Sequence, residues 1–169
     1  MTRSALSIRF ADIGDLNTIG FLAQQIWPPT YREILVQEQL EYMMELFYSP
    51  SSLKKQLIEE KHVFILVENG DEPIGFASYS PIRTTGVYKL HKLYVLPNQQ
   101  GKGLGKAIVD FIVEDIQPKS AHALQLNVNR YNKAKNFYER LGFEIIREED
   151  IDIGNGYYMN DYIMEKKIL

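Results

Sequence analysis

Cysteine is absent from the 169 residues, which excludes a disulfide framework, a thiol nucleophile and any cysteine-ligated metal site. Only three histidines occur, His62, His91 and His122. They stand apart in the chain, without the spacing of a ligand pair. Positive charge is not in excess either: 19 Lys and Arg against 22 Asp and Glu leave a formal charge of −3. That argues against nucleic acid as the main partner, because gripping a phosphate backbone asks for a basic face. No apolar run nears the roughly 20 residues of a membrane span, and the opening MTRSALSIRF lacks the long apolar core of a secretory leader. Internal repeats, low-complexity tracts and linkers are missing as well. The expectation is a cytoplasmic protein with one domain over 1–169, no nucleic-acid or membrane partner, and an assembly compatible with a homodimer.

What is present suffices for a core without metals or cross-links. LSIRFA reads as a short strand. A helix follows a capping Asp12, with Leu16, Ile19, Leu22, Ala23 and Ile26 on one face, and is expected to end near Pro28-Pro29. QEQLEYMMELF and SSLKKQLIEE read as two further helices, the second opened by serines suited to N-capping. The pattern then changes period. VFILVE and PIGFASYS flank an Asn-Gly turn and predict a β-hairpin, and VYKLHKLYVL is a further strand. From Gly101 the period is helical again up to Pro118, with Leu104, Ala107, Ile108, Phe111 and Ile112 on one side. ALQLNVN alternates as a strand. NKAKNFYERLGF is a short helix with Asn132 placed to cap it and Gly142 at its end. Two strands, FEIIRE and YYMNDYIMEKK, flank the turn-like DIGNG.

This order implies an α/β fold around one mixed sheet. YKLHKLYV, the helix after it and LQLNV make a βαβ crossover, and the Gly-rich stretch QGKGLGK lies at the carboxyl end of its first strand, where open α/β sheets bind ligands. Helix-end amides without intrahelical partners and the helix dipole attract anions there; Lys102 and Lys106 add charge. The same letters also suit a plain tight turn with solvated lysines. Two phosphate loops fail on residues. A Walker loop needs Gly at position 100 and Ser or Thr at 107, where Gln100 and Ala107 stand, and the dinucleotide fingerprint GxGxxG is here GxGxG.

QGKGLG, Gln100 to Gly105, resembles the Q/R-x-x-G-x-G/A pyrophosphate signature of the GCN5-related N-acetyltransferases. LYVLPNQQ before it looks like that family's fourth strand and pre-loop proline. NKAKNFYERLGF resembles the family's later helix, with its Asn, Ala and Tyr before Leu-Gly-Phe. The likeness is strong from Tyr88 to Phe143 and covers the rest by topology; a weaker one links the tail YYMNDYIMEKKI to bacterial polyamine acetyltransferases. The resemblance implies a mixed, mostly antiparallel sheet of about seven strands flanked by helices, splayed between its fourth and fifth strands. It also implies acetyl-CoA as co-substrate and no metal.

By that resemblance, the backbone from Gln100 through Gly101, Lys102, Gly103, Leu104 and Gly105 to Lys106 holds the CoA pyrophosphate. The pantetheine arm runs along Leu93, Tyr94 and Val95, whose amides also face the thioester carbonyl, and Asn132 contacts the arm. Tyr138 takes the family's place for protonating the leaving thiolate; the spacing alone equally puts it on an apolar stripe with Ala134, Phe137 and Leu141. The family's acid on the fourth strand is replaced by Lys89. His91, of the same parity, is the candidate base through a water, or else a half-exposed strand histidine.

Trp27 and Tyr31 could meet an amine by cation–π attraction or pack as core. Asn127, Asn129, Asp150, Asp152, Asp161 and Tyr158 could line or steer the acceptor, or form a solvated edge. The implied activity is direct attack of a small primary amine, polyamines included, on acetyl-CoA in a ternary complex. The alternatives are a peptide or protein amine as acceptor, and a CoA-binding regulatory module without turnover.

Overall fold

A computed structural model describes residues 5–83 and 85–169. Met1–Ser4, part of the stretch read as lacking a leader, lie outside the described residues. The chain divides into two compact units, Met1–Ser80 with Lys92–Phe111, and Pro81–His91 with Ile112–Leu169.

The first unit holds β1 (Leu6–Phe10), α1 (Leu16–Tyr31), α2 (Gln37–Tyr48), α3 (Pro50–Ile58) and β2 (Val63–Asn69). It also takes β3 (Glu72–Pro81) up to Ser80, the last residues of β4 (Val87–Val95) and the first turns of α4 (Leu104–Ile116). Asp12 opens the α1 region through a reciprocal box: its side chain accepts from Gly14 N at 2.9 Å, and Asp15 accepts from Asp12 N at 2.9 Å. Ser49 caps α3 by accepting from Ser52 N. Strands β1, β2 and β3 pair antiparallel, and Gly70 at φ 62° turns the β2–β3 hairpin. Ile19, Leu22 and Ile26 of α1 are buried, as are Phe64, Leu66 and Phe76 of β2 and β3.

Helix α1 does not stop at Pro28-Pro29 but runs to Tyr31. Two prolines remove two amide donors and orphan the carbonyls of Gln24 and Gln25, but both residues are exposed and water can serve them. Thr30 Oγ1 bonds Ile26 O at 2.6 Å, and burial of Trp27 and Tyr31 offsets the rest.

The second unit holds the start of β4, the end of α4, β5 (Ala123–Asn129), α5 (Ala134–Arg140), β6 (Glu144–Gly154) and β7 (Tyr157–Lys167). Strand β6 is longer than FEIIRE, because its pairing with β7 continues to Gly154↔Tyr157. The turn shrinks to Asn155-Gly156, both at positive φ. Likewise α4 starts at Leu104 rather than Gly101, since Gly101 and Gly103 sit at φ 78° and 79°, outside helical space.

Hydrogen bonds order the strands β1-β2-β3-β4-β5-β7-β6 in a seven-stranded sheet. β4 and β5 run parallel, and the pairs β1–β2, β2–β3, β5–β7 and β6–β7 are antiparallel. β4 and β5 pair only from Val87↔Ala123 to Leu90↔Leu126, although β5 continues to Asn129 and β4 to Val95. This is the splay that the sequence implied.

Candidate functional site

In the first unit the Gly-rich loop leaves β4 through a single 3-10 turn, Pro97–Gln99, and Gln100 Nε2 ties back to Val95 O at 3.3 Å. Positive φ at Gly101 and Gly103 folds the loop over the helix end, and a Cβ at either glycine would meet no protein atom within 4 Å. The first bond of the helix runs from Ala107 N to Gly103 O at 3.1 Å. The amides of Leu104, Gly105 and Lys106 therefore have no intrahelical acceptor. Buried Leu104 pins the helix start. Lys102 donates to Gln99 at 3.2 Å and so stays at the loop, whereas Lys106 pairs at 2.6 Å with Asp110, one turn further along α4. Open amides, glycines and the Lys102 cation make a helix end that suits an anion.

The same unit gathers three more of the residues singled out. Tyr94 OH and Tyr31 OH share a hydrogen bond of 2.9 Å, and Trp27 stacks at 4.7 Å on Tyr31 and 5.7 Å on Tyr94. Trp27 is 4% exposed and its indole N–H donates to Tyr48 OH at 3.1 Å. Burial holds the Tyr48 phenol well above its ordinary pKa.

A residue that the sequence reading passed over lies beside this cluster. Lys92, 7% exposed, donates to Gln56 Oε1 at 2.8 Å and sits over the Tyr48 ring at 5.1 Å. Burial, only partly opposed by Glu60, pulls its pKa down to about 8. The one signal in the letters is that Lys92 shares strand parity with Leu90 and Tyr94. The folded state disfavours the ammonium, so the destabilisation is full below about pH 8 and fades as pH rises toward the ordinary 10.5. In denaturant melts, the stability of wild type relative to Lys92→Met should rise by about 2–3 kcal/mol between about pH 7 and about pH 10. A constant difference would show that Lys92 is not held in this way.

In the second unit, α5 carries Tyr138, 8% exposed, against Phe137 at 5.1 Å and Phe143 at 5.5 Å between ring centroids. Asn132 is not the N-cap of α5, a place that Lys133 takes without a side-chain bond; Asn132 Oδ1 accepts from Ala134 N at 2.9 Å in the turn that leads into the helix. His91 is the first residue of β4 past its last pair with β5, and Asn127 is the first of β5. Asn127 Nδ2 donates to Asp161 Oδ2 at 3.3 Å. Asp161 is buried among polar neighbours, with its pKa raised first by that burial and lowered less by Asn127, Lys89 and Arg130. Lys89 is pushed down, again by burial first. Tyr158 lies out on β7 opposite Asp152, half exposed, and Asn129 spends its side-chain oxygen on Tyr131 N.

A profile of the acetyltransferase (GNAT) family matches residues 23–143. The chain belongs to the GNAT family. Over 96% of its length it is 27% identical to a spermidine N(1)-acetyltransferase of Thermoplasma acidophilum, of which it covers 98%. It superposes with a TM-score of 0.82 on the PaiA N-acetyltransferase of Thermoplasma acidophilum, crystallised with coenzyme A, at 27% identity over 96% of this chain and 99% of that one. A shorter match, 31% identity over 55% of this chain and 58% of the other, links it to the ribosomal protein bS18-alanine N-acetyltransferase of Haemophilus influenzae.

This GNAT chain is an acetyl-CoA-dependent N-acetyltransferase. Among the described residues no cluster of His, Asp and Glu could hold a metal ion. No helix among them is long and apolar enough to cross a membrane.

Proposed function

We propose that this acetyltransferase acetylates the primary amine of a small molecule, with polyamines as the leading class, by direct attack on bound acetyl-CoA. The observation that carries the CoA half is the open-amide loop at α4, with Gly101 and Gly103 at φ 78° and 79° and nothing of the protein over them. Backbone from Gln100 to Lys106 binds the pyrophosphate, Leu93 to Val95 align the arm and the thioester carbonyl, and Asn132 adds a contact. Direct attack suits a chain without cysteine.

Tyr138 gives its phenolic proton to the departing thiolate; a phenol of pKa about 10 is matched to that task. His91 stands at the fork of β4 and β5, beside the place where the amine loses its proton. In the second unit the acceptor meets Asn127 and Tyr158, and its narrow class is supported by the likeness to the spermidine N(1)-acetyltransferase of Thermoplasma acidophilum. The catalytic step runs in the cytoplasm on a free metabolite.

Spermidine, L-methionine sulfone and a peptide with an N-terminal alanine, each offered with acetyl-CoA, separate the acceptor classes. Spermidine should give the highest kcat/KM. Preference for the peptide would move the reading to protein amines.

A further inference from the structure

Strand β4 presents Lys89 where the family resemblance calls for an acid, and the amine's proton still needs a destination. Asp161 of β7, 5% exposed, lies opposite Asn129 of β5 and Glu149 of β6. Among the described residues its carboxylate takes one hydrogen bond, the 3.3 Å contact from Asn127, although a carboxylate has room for about four. Asn127 is the first β5 residue past the pair Leu90↔Leu126. The carboxylate therefore reaches the point where β4 leaves β5.

We infer that Asp161 is the group that accepts the proton of the attacking amine, in place of the acid that β4 lacks at Lys89. This rests on the amine-acetyltransferase reading.

Every neighbouring element contributes to its charge environment. From β4 comes Lys89, which makes no direct ion pair with it among the described residues. From β5 and the turn after it come Asn127 and Arg130, whose guanidinium bonds the Asp161 carbonyl at 3.3 Å and Asp150 at 2.6 Å. From β6 come Glu149 and Arg147, the latter bonded to Glu149 at 2.7 Å. Burial raises the carboxyl above its ordinary 3.8 and lowers the ammonium of Lys89 below 10.5. A carboxyl moved toward working pH is the better base, and a nearby cation without a direct bond keeps it ionised without blocking it.

The step balances. The ammonium gives its first proton to Asp161, the amine nitrogen then bonds the acetyl carbon, and the carbon–sulfur bond breaks as Tyr138 protonates the thiolate; the second nitrogen proton passes through water to the Tyr138 oxygen, and Asp161 releases its own proton to water.

The test compares ethylamine with trifluoroethylamine, which is already neutral at neutral pH and loses no proton before it attacks. With ethylamine, Asp161→Asn should lose about 10²- to 10⁴-fold in kcat/KM, with CoA affinity kept. Its thermal midpoint should hold or rise, because a buried charge is removed while an amide oxygen still accepts from Asn127. With trifluoroethylamine the loss should shrink to about tenfold or less. Lys89→Met should move the acid limb of the pH–kcat/KM profile to higher pH, since the lost cation favoured the carboxylate.

A loss in Asp161→Asn within about threefold, an equal loss with both amines, or an unmoved limb in Lys89→Met would overturn the assignment in favour of His91 or water. Wild-type protein inert to both amines and to spermidine would bring down the amine-acetyltransferase reading itself. That outcome is distinct from any defect confined to the variants.

Discussion

Tyr138→Phe is expected to bind CoA as wild type does and to lose about 10²- to 10⁴-fold in kcat. The substitution removes one oxygen from a side chain that keeps its ring between Phe137 and Phe143, so packing is nearly conserved. Only the leaving group should notice. A thiolate of pKa about 8.5 departs partly on its own, so the effect belongs to the step in which the carbon–sulfur bond breaks and should appear in kcat rather than in KM. Unchanged kcat would leave Tyr138 as a packing residue of α5. A loss of CoA affinity equal to the loss of kcat would place it in binding.

The second large effect is expected at Gly103. At φ 79°, any side chain is strained, and a Cβ there points into open space. Gly103→Val should weaken CoA binding by roughly tenfold or more, because it disturbs the backbone proposed to bind the pyrophosphate. Gly103→Asn separates strain from bulk, since Asn tolerates the left-handed region. If Asn also weakens CoA, the side chain is in the ligand's way; if it does not, backbone strain explains the Val defect. CoA affinity retained in both variants, measured by calorimetry, would sink the phosphate-loop reading.

Much of this was legible in the letters, for identifiable reasons. Gly101 and Gly103 of QGKGLG mark the loop because glycine holds positive φ without cost. The alternation of ALQLNVN and the stripe of α4 are local periodicities that packing then kept. Boundaries were less legible. Nothing near Pro28-Pro29 says that the orphaned carbonyls of Gln24 and Gln25 face water, and nothing in DIDIG says that β7 pairs with it as far as Gly154.

The charges were least legible. Lys92 and Asp161 look like ordinary polar letters on strands, and only the fold buries one beneath Gln56 and Tyr48 and the other beside Asn127. Their perturbation comes from residues far away in sequence, which no window along the chain contains.

The aromatic cluster of Trp27, Tyr31 and Tyr94 is a middle case. Trp27 and Tyr31 were singled out as acceptor contacts and Tyr94 as a contact of the pantetheine arm, and the structure brings the three together, with Tyr31 and Tyr94 sharing a hydroxyl bond. Trp27 and Tyr31 are buried and can shape an apolar wall more readily than offer an open ring face to a cation, whereas Tyr94 is half-buried.

The central claim is acetyl transfer to an amine from CoA bound at the α4 loop. Release of free CoA thiol from acetyl-CoA, followed in the presence and absence of spermidine with the product's mass recorded, tests it most directly. The account predicts release that depends on the amine and an acetylated amine in matching amount. Tight binding of acetyl-CoA with no amine-dependent release, from spermidine or from the other amines named above, would contradict it and make the chain a CoA-binding module.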